Sequence, residues 1–100
     1  MPRLRVLRSD LLVIGCGIAG ASAALEAAKR GLRVNIVTKA SEPAESNTLY
    51  AQGGIVSLGK DDNPQILKED IIKTGDGINN PESVEVLASQ GRELVERILI

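Results

Sequence analysis

Gly15, Gly17 and Gly20 stand in a Gly-x-Gly-x-x-Gly arrangement, and in that spacing each glycine has its own physical task. Gly15 permits a tight turn, Gly17 lets backbone approach a pyrophosphate with no Cβ in the way, and Gly20 lets a helix lie close on a strand. Cys16, Ile18 and Ala19 fill the variable positions; Cys16 reads as a small filler, since nothing around it marks a reactive thiol. Such a turn offers backbone N–H groups and the positive end of a helix dipole to an anion. The chemistry is therefore phosphate binding, not bond breaking. A ligand-free glycine turn is the plain alternative, and what favours binding is a strand before the motif and a helix after it.

The surrounding elements supply that context. Leu11-Leu12-Val13-Ile14 is a continuous apolar run ended by glycine, which reads as a strand buried on both faces. Residues 21–30 are alanine-rich, and Leu25 and Ala28 follow Ile18 and Ala21 at helical spacing, the pattern of an apolar helix face. Gly31 is a helix stop. Val34-Asn35-Ile36-Val37-Thr38 is a second strand, so residues 10–38 make a βαβ unit whose two strands lie side by side and parallel. Residues 39–46 are polar, carry Pro43 and leave the C-terminal edge of the second strand, where open α/β sheets bind ligands. Ile55-Val56-Ser57-Leu58 before Gly59 is at best a short strand. Asn63-Pro64 and Asn80-Pro81 each pair an N-cap residue with proline at the first helical position. After the first, Leu67, Ile71 and Ile72 face one side until Gly75 and Gly77. After the second, Val84, Leu87, Ala88, Gly91, Leu94, Val95 and Ile98 recur at three- and four-residue spacing, helical to the end with Gly91 as a point of breakage.

Composition narrows the function classes. With 43% hydrophobic and 25% charged residues the chain reads as globular, and its net charge of -1 gives no footprint for nucleic acid or an anionic membrane. No apolar run reaches the roughly 18 residues of a membrane-spanning helix. The single cysteine fits a reducing compartment such as the cytoplasm, and residues 1–9 read as a basic, solvated lead-in. There is no histidine, which removes the commonest general base and neutral metal ligand, and no metal site is expected. The apolar ending Ile98-Leu99-Ile100 has no stop signal, and two buried parallel strands need neighbours on both edges. The chain is therefore expected to be the first piece of a larger protein, an incomplete doubly wound α/β sheet. Alone it should unfold with weak cooperativity and retain a dinucleotide poorly.

Which dinucleotide is bound is normally answered by an Asp or Glu on the ribose, about twenty residues beyond the glycines. Here that place reads Val37-Thr38-Lys39. A missing carboxylate weakens plain NAD, and Lys39 suits either a phosphate-bearing NADP or the adenosine half of FAD, with an ordinary solvated lysine as the alternative. From the residues alone, NADP and FAD both stay open.

Ser46-Asn47-Thr48-Leu49-Tyr50-Ala51-Gln52-Gly53-Gly54 adds the second motif. Together with the strand, turn and helix start, it resembles the flavoprotein family that contains L-aspartate oxidase and the flavoprotein subunits of succinate dehydrogenase and fumarate reductase. In that family a segment ending Ala-Gln-Gly-Gly, here Ala51 to Gly54, runs along the flavin, and a Thr-Lys strand ending replaces the acidic residue. The resemblance, which runs from Asp10 onward, thus implies that residues 1–100 are the N-terminal part of a Rossmann-like FAD-binding domain, with 39–59 as a flavin-contacting loop and 63–100 as helices. The dehydrogenase subunits often carry a histidine bonded covalently to the flavin where this chain has Asn47, so the resemblance implies dissociable FAD. Tyr50 before Ala-Gln-Gly-Gly, and the stretches around Gly75-Asp76-Gly77-Ile78 and 82–87, lean toward the oxidase branch.

Physical roles follow for these residues. Gly53 and Gly54 would let backbone amides reach the isoalloxazine edge and stabilise charge that develops on reduction. Thr48 and Gln52 offer polar groups for orienting the ring, and Tyr50 offers an apolar body with a polar tip. Taken without the family, a Gly-Gly pair is more often a turn and a lone tyrosine half-buried packing. The resemblance further implies L-aspartate as substrate, hydride transfer to FAD giving iminoaspartate on the route to NAD, and oxygen or fumarate as acceptor. The substrate-binding groups and the proton-accepting arginine of that family fall in later segments, so no catalytic residue is assigned to this chain. A fumarate reductase or succinate dehydrogenase type of flavoprotein, and a non-enzymatic nucleotide-binding domain, are the competing readings.

Overall fold

The computed structural model describes residues 2–100, leaving Met1 of the lead-in outside the described residues, and residues 2–9 form neither helix nor strand. Two compact units result, one ending at Gln52 and the other running Gly53–Ile100.

In the first unit β1 (Leu11–Ile14), α1 (Ile18–Lys29), β2 (Val34–Val37) and the short α2 (Asn47–Tyr50) follow in order. β1 and β2 pair in parallel, with Leu11 opposite Val34 and Ile14 opposite Val37. The ladder is closed at both ends. At its start the N–H groups of Asp10 and Leu11 donate to the Arg33 carbonyl at 2.9 and 3.2 Å, and the Asp10 carboxylate accepts the Arg33 N–H at 2.8 Å. At its far end the Gly15 N–H donates to the Val37 carbonyl at 2.8 Å, which ties the glycine turn to the edge where β2 ends. α1 stops as expected at Gly31, whose φ of 81° suits glycine. The Gly31 and Leu32 N–H groups donate back to the carbonyls of Ala28 and Ala27, the paired bonds of a Schellman ending.

The inner face of α1 differs from the expected one. Ala24 and Ala27 are buried beside half-buried Gly20 and Ala21, whereas Leu25 is 63% exposed and Ile18 and Ala28 are also exposed. The reason lies at Gly20: a Cβ there would run into the Gly15 carbonyl and stand 3.2 Å from Val13 Cγ1. The helix sits so close to β1 that only small residues fit between them, and this turns the leucine outward. The strands also differ from the expectation of burial on both faces. Val13 is buried toward α1, but Leu12 is 55% and Ile14 82% exposed, because α1 covers one face of a two-stranded sheet and nothing in this unit covers the other.

The second unit pairs α3 (Pro64–Gly75) with α4 (Pro81–Leu99). Both asparagine caps form as expected: Asn63 accepts the Gln65 N–H at 2.8 Å and Asn80 accepts the Ser83 N–H at 3.1 Å. α3 ends at Asp76, in the left-handed region at φ 49°, followed by Gly77. Val84 and Ala88 are buried against the half-buried Leu67, Ile71 and Ile72 side of α3, with Gly91, Leu94 and Val95 continuing the half-buried face of α4. Leu87 and Ile98, expected on that face, are exposed at its margin. The Asn79 Nδ2 donates to the Ile71 carbonyl at 3.2 Å beneath the turn, and Lys68 pairs with Glu85 across the two helices. α4 runs unbroken through Gly91, since one glycine costs a long, packed helix only about 1 kcal/mol. Ile55 to Leu58 form no strand, having no neighbour to pair with, and Ile55 and Val56 stay exposed.

Candidate functional site

The glycine turn joins β1 to α1 in three residues. Gly15 has φ 103°, a left-handed value that a side chain rarely adopts. Gly17 is the N-cap residue, extended at φ -73° and ψ -177°, and being glycine it supplies no side-chain cap. The first intrahelical bond runs from the Ala21 N–H to the Gly17 carbonyl at 2.9 Å. Among the described residues nothing accepts from the N–H groups of Ala19 and Gly20, which stand open at the end of the helix where its dipole is positive. The Ile18 N–H is the exception, donating at 3.0 Å to the hydroxyl oxygen of Thr48, thirty residues further on. A Cβ on Gly17 would stand 3.4 Å from that same oxygen.

These observations test whether the turn fits a dinucleotide. An anion needs unpaired donors, a positive field and no side chain in its path, and the turn provides all three. The N-terminal half of the predicted site therefore fits a pyrophosphate. Cys16 is a half-buried free thiol within the turn.

The other predicted residues are placed as follows. Thr38 is the residue after β2, at the edge that the Gly15 N–H ties down, and its hydroxyl accepts the Ala40 N–H at 3.4 Å, turning the chain out of the sheet. Lys39 is exposed and makes no ion pair among the described residues. Asn47, Thr48, Leu49 and Tyr50 form α2, a single turn that sequence reasoning did not anticipate, with all four side chains exposed. The Tyr50 hydroxyl donates to Glu45 Oε2 at 2.9 Å, and the carboxylate, aided slightly by desolvation, raises the phenol above its usual pKa. Ala51 and Gln52 are exposed at the end of the first unit; Gly53, at φ 96°, and Gly54 begin the second.

The fold thus brings Gly15, Gly17, Ile18 and Thr48 together, with Thr38 and Lys39 at the same sheet edge. Sequence reasoning missed Glu45 as the partner of Tyr50 and the Thr48 contact with Ile18; a five-residue spacing and a thirty-residue one carry no local signature. No base or nucleophile pair accompanies the turn, and no cluster of His, Cys, Asp and Glu suited to a metal occurs among the described residues. What the arrangement can do is bind and orient.

Comparison with known proteins agrees in kind. The FAD binding domain family matches residues 10–98. The chain is 46% identical over 92 residues to the L-aspartate oxidase of Halobacterium salinarum, covering 92% of this chain and 18% of that protein. It is 35% identical over 94 residues to the L-aspartate oxidase of Streptomyces coelicolor, covering 93% and 16%. To the chloroplastic L-aspartate oxidase of Oryza sativa subsp. japonica it is 43% identical over 91 residues, covering 90% and 14%. The chain therefore spans less than a fifth of the length of these relatives.

Proposed function

This chain belongs to the FAD binding domain family, and from that membership we propose that it is the N-terminal, cofactor-binding part of an L-aspartate oxidase that oxidises L-aspartate to iminoaspartate. The observation that carries the phosphate-binding part of the reading is the turn from Gly15 to Gly20, with open Ala19 and Gly20 amides at the start of α1; the family match supports FAD, and the 35–46% identity to L-aspartate oxidases supports the oxidase. In this reading the turn holds the FAD pyrophosphate, and Thr38 and Lys39 lie along the adenosine half at the C-terminal edge of β2. Residues 47–52, in the same unit as the turn, would hold the flavin end of the cofactor. Further strands beside β1 and β2 would complete a doubly wound sheet, and helices on its second face would cover Leu12 and Ile14.

When bound, FAD supplies the two-electron acceptor for oxidation at the amino acid's α-carbon, and oxygen or fumarate takes the electrons onward. The residues of this chain bind and orient. Backbone amides would neutralise phosphate charge, while Thr48, Tyr50 and Gln52 would help to position the ring. Asn47 offers no imidazole for a covalent flavin bond at this position, which supports dissociable FAD. No helix of the described residues is long and apolar enough to cross a membrane.

The test is to purify the whole protein, release its flavin by denaturation, and assay L-aspartate against succinate. Free FAD at one per chain with turnover of L-aspartate supports the reading. Turnover of succinate instead would assign the chain to the dehydrogenase type, and a protein without flavin would sink both.

A further inference from the structure

α1 has no cap of its own. Its N-cap residue is Gly17, which lacks a side chain, and the first-turn N–H of Ile18 is instead accepted by the Thr48 hydroxyl at 3.0 Å. N-cap oxygens normally come from the residue adjoining the helix; here the oxygen comes from α2, across thirty residues. Gly17 leaves room beside it, since a Cβ at that position would already stand 3.4 Å from Thr48 Oγ1, in van der Waals contact. α2 is held by little else in its own unit. Its N-cap Ser46 makes no side-chain bond, its four residues are all exposed, and the Tyr50 to Glu45 bond is internal to the same loop. The Thr48 hydroxyl is thus the polar tie between the glycine turn and the segment that follows it.

We propose that Thr48 is a positioning residue: its hydroxyl caps α1 from a distance and so fixes the register of residues 46–52 against the pyrophosphate-binding turn. This rests on the FAD reading above. With the tie in place, the free chain already holds the two halves of the cofactor site at their working separation, and less ordering is left to be done on binding. The oxygen that accepts from Ile18 also keeps one helix donor engaged, leaving Ala19 and Gly20 as the open pair for phosphate.

The experiment compares the whole protein with its Thr48→Val and Thr48→Ser variants, freed of flavin. Two quantities are measured: amide hydrogen exchange at Ile18, and FAD affinity by titration of flavin fluorescence. Valine keeps the shape and removes the acceptor, and because Thr48 is exposed the change buries nothing new and leaves no cavity in the core. The expected result in Thr48→Val is exchange at Ile18 faster by on the order of tenfold and FAD binding weaker by a similar factor, the worth of about one net hydrogen bond. Thr48→Ser keeps both near the parent. Unchanged exchange at Ile18 in Thr48→Val would overturn the cap, and faster exchange with unaltered FAD affinity would overturn the positioning role. If serine fails to rescue, the hydroxyl is not the operative group and the proposal falls. A parent protein that binds no FAD would sink the FAD reading instead, while the exchange measurement would still decide the cap.

Discussion

Replacing Gly20 by alanine adds one methyl group at the closest approach of α1 to the glycine turn. Two effects oppose one another. Alanine is the better helix former by about 1 kcal/mol in a helix interior. Against this, the new Cβ runs into the Gly15 carbonyl and stands 3.2 Å from Val13 Cγ1. The carbonyl is backbone, so no rotamer change relieves the contact; either α1 lifts from β1 or the turn opens. Overpacking of a fitted interior costs typically about 1–3 kcal/mol, and an obstacle that cannot rotate away belongs at the upper end. The net expectation is a loss of about 2 kcal/mol. A control is built into the same chain. Gly91 lies within α4 with open space around its Cβ position, so Gly91→Ala should gain about 0.4–1 kcal/mol. Urea unfolding followed by the helical circular dichroism signal, on parent and both variants, reads the difference. Opposite signs for the two Gly→Ala changes are the prediction. Equal stabilisation by both would refute the close approach of α1 to β1.

Three further outcomes are expected. Within these 100 residues Tyr50 is the only tyrosine and there is no tryptophan, so the tyrosinate absorbance of this segment reports it alone; Glu45→Gln should lower its titration midpoint toward the usual value of about 10, and an unmoved midpoint would exclude the contact. The sign for stability follows, because a folded-state pKa raised above the unfolded one means the bond helps below pH 10 and is lost as pH climbs through the raised value. Asp10 is the reverse case: the Arg33 N–H, and then its guanidinium, lower the carboxyl pKa below 3.8. Its contribution holds above that value and fades as pH falls through the lowered one, so Asp10→Asn should flatten the acid limb of a stability profile; an unaltered limb would count against the clamp. Asn80→Ala removes the acceptor of the Ser83 N–H and should cost about 1 kcal/mol in thermal unfolding, whereas no change would mean that water replaces the cap without loss.

The parts of the fold legible in the sequence are those set by local chemistry. The apolar run before Gly15, the glycine spacing, the stop at Gly31 and the two Asn-Pro starts each depend on residues within a few positions, and each forms where expected. The inner face of α1 was not legible. Large apolar residues marked one stripe, but the close approach at Gly20 selects small ones, so alanines are buried and Leu25 is exposed. Ile55 to Leu58 had the composition of a strand without a partner to pair with, and composition alone cannot supply one. Within the candidate site the glycine turn was legible because its shape is set by backbone and by glycine spacing. The Thr48 contact was not, because the acceptor and the donor are joined only by the fold.

The central claim is that the Gly15 to Gly20 turn holds the pyrophosphate of FAD. It is tested most directly by equilibrium FAD binding to the whole protein, freed of flavin, and to its Gly17→Val variant. A side chain at Gly17, the N-cap position of α1, would start 3.4 Å from the Thr48 hydroxyl oxygen. The account predicts saturable binding of one FAD per parent chain and loss of binding in a variant that is still folded by circular dichroism. Equal affinity in the two proteins would contradict it.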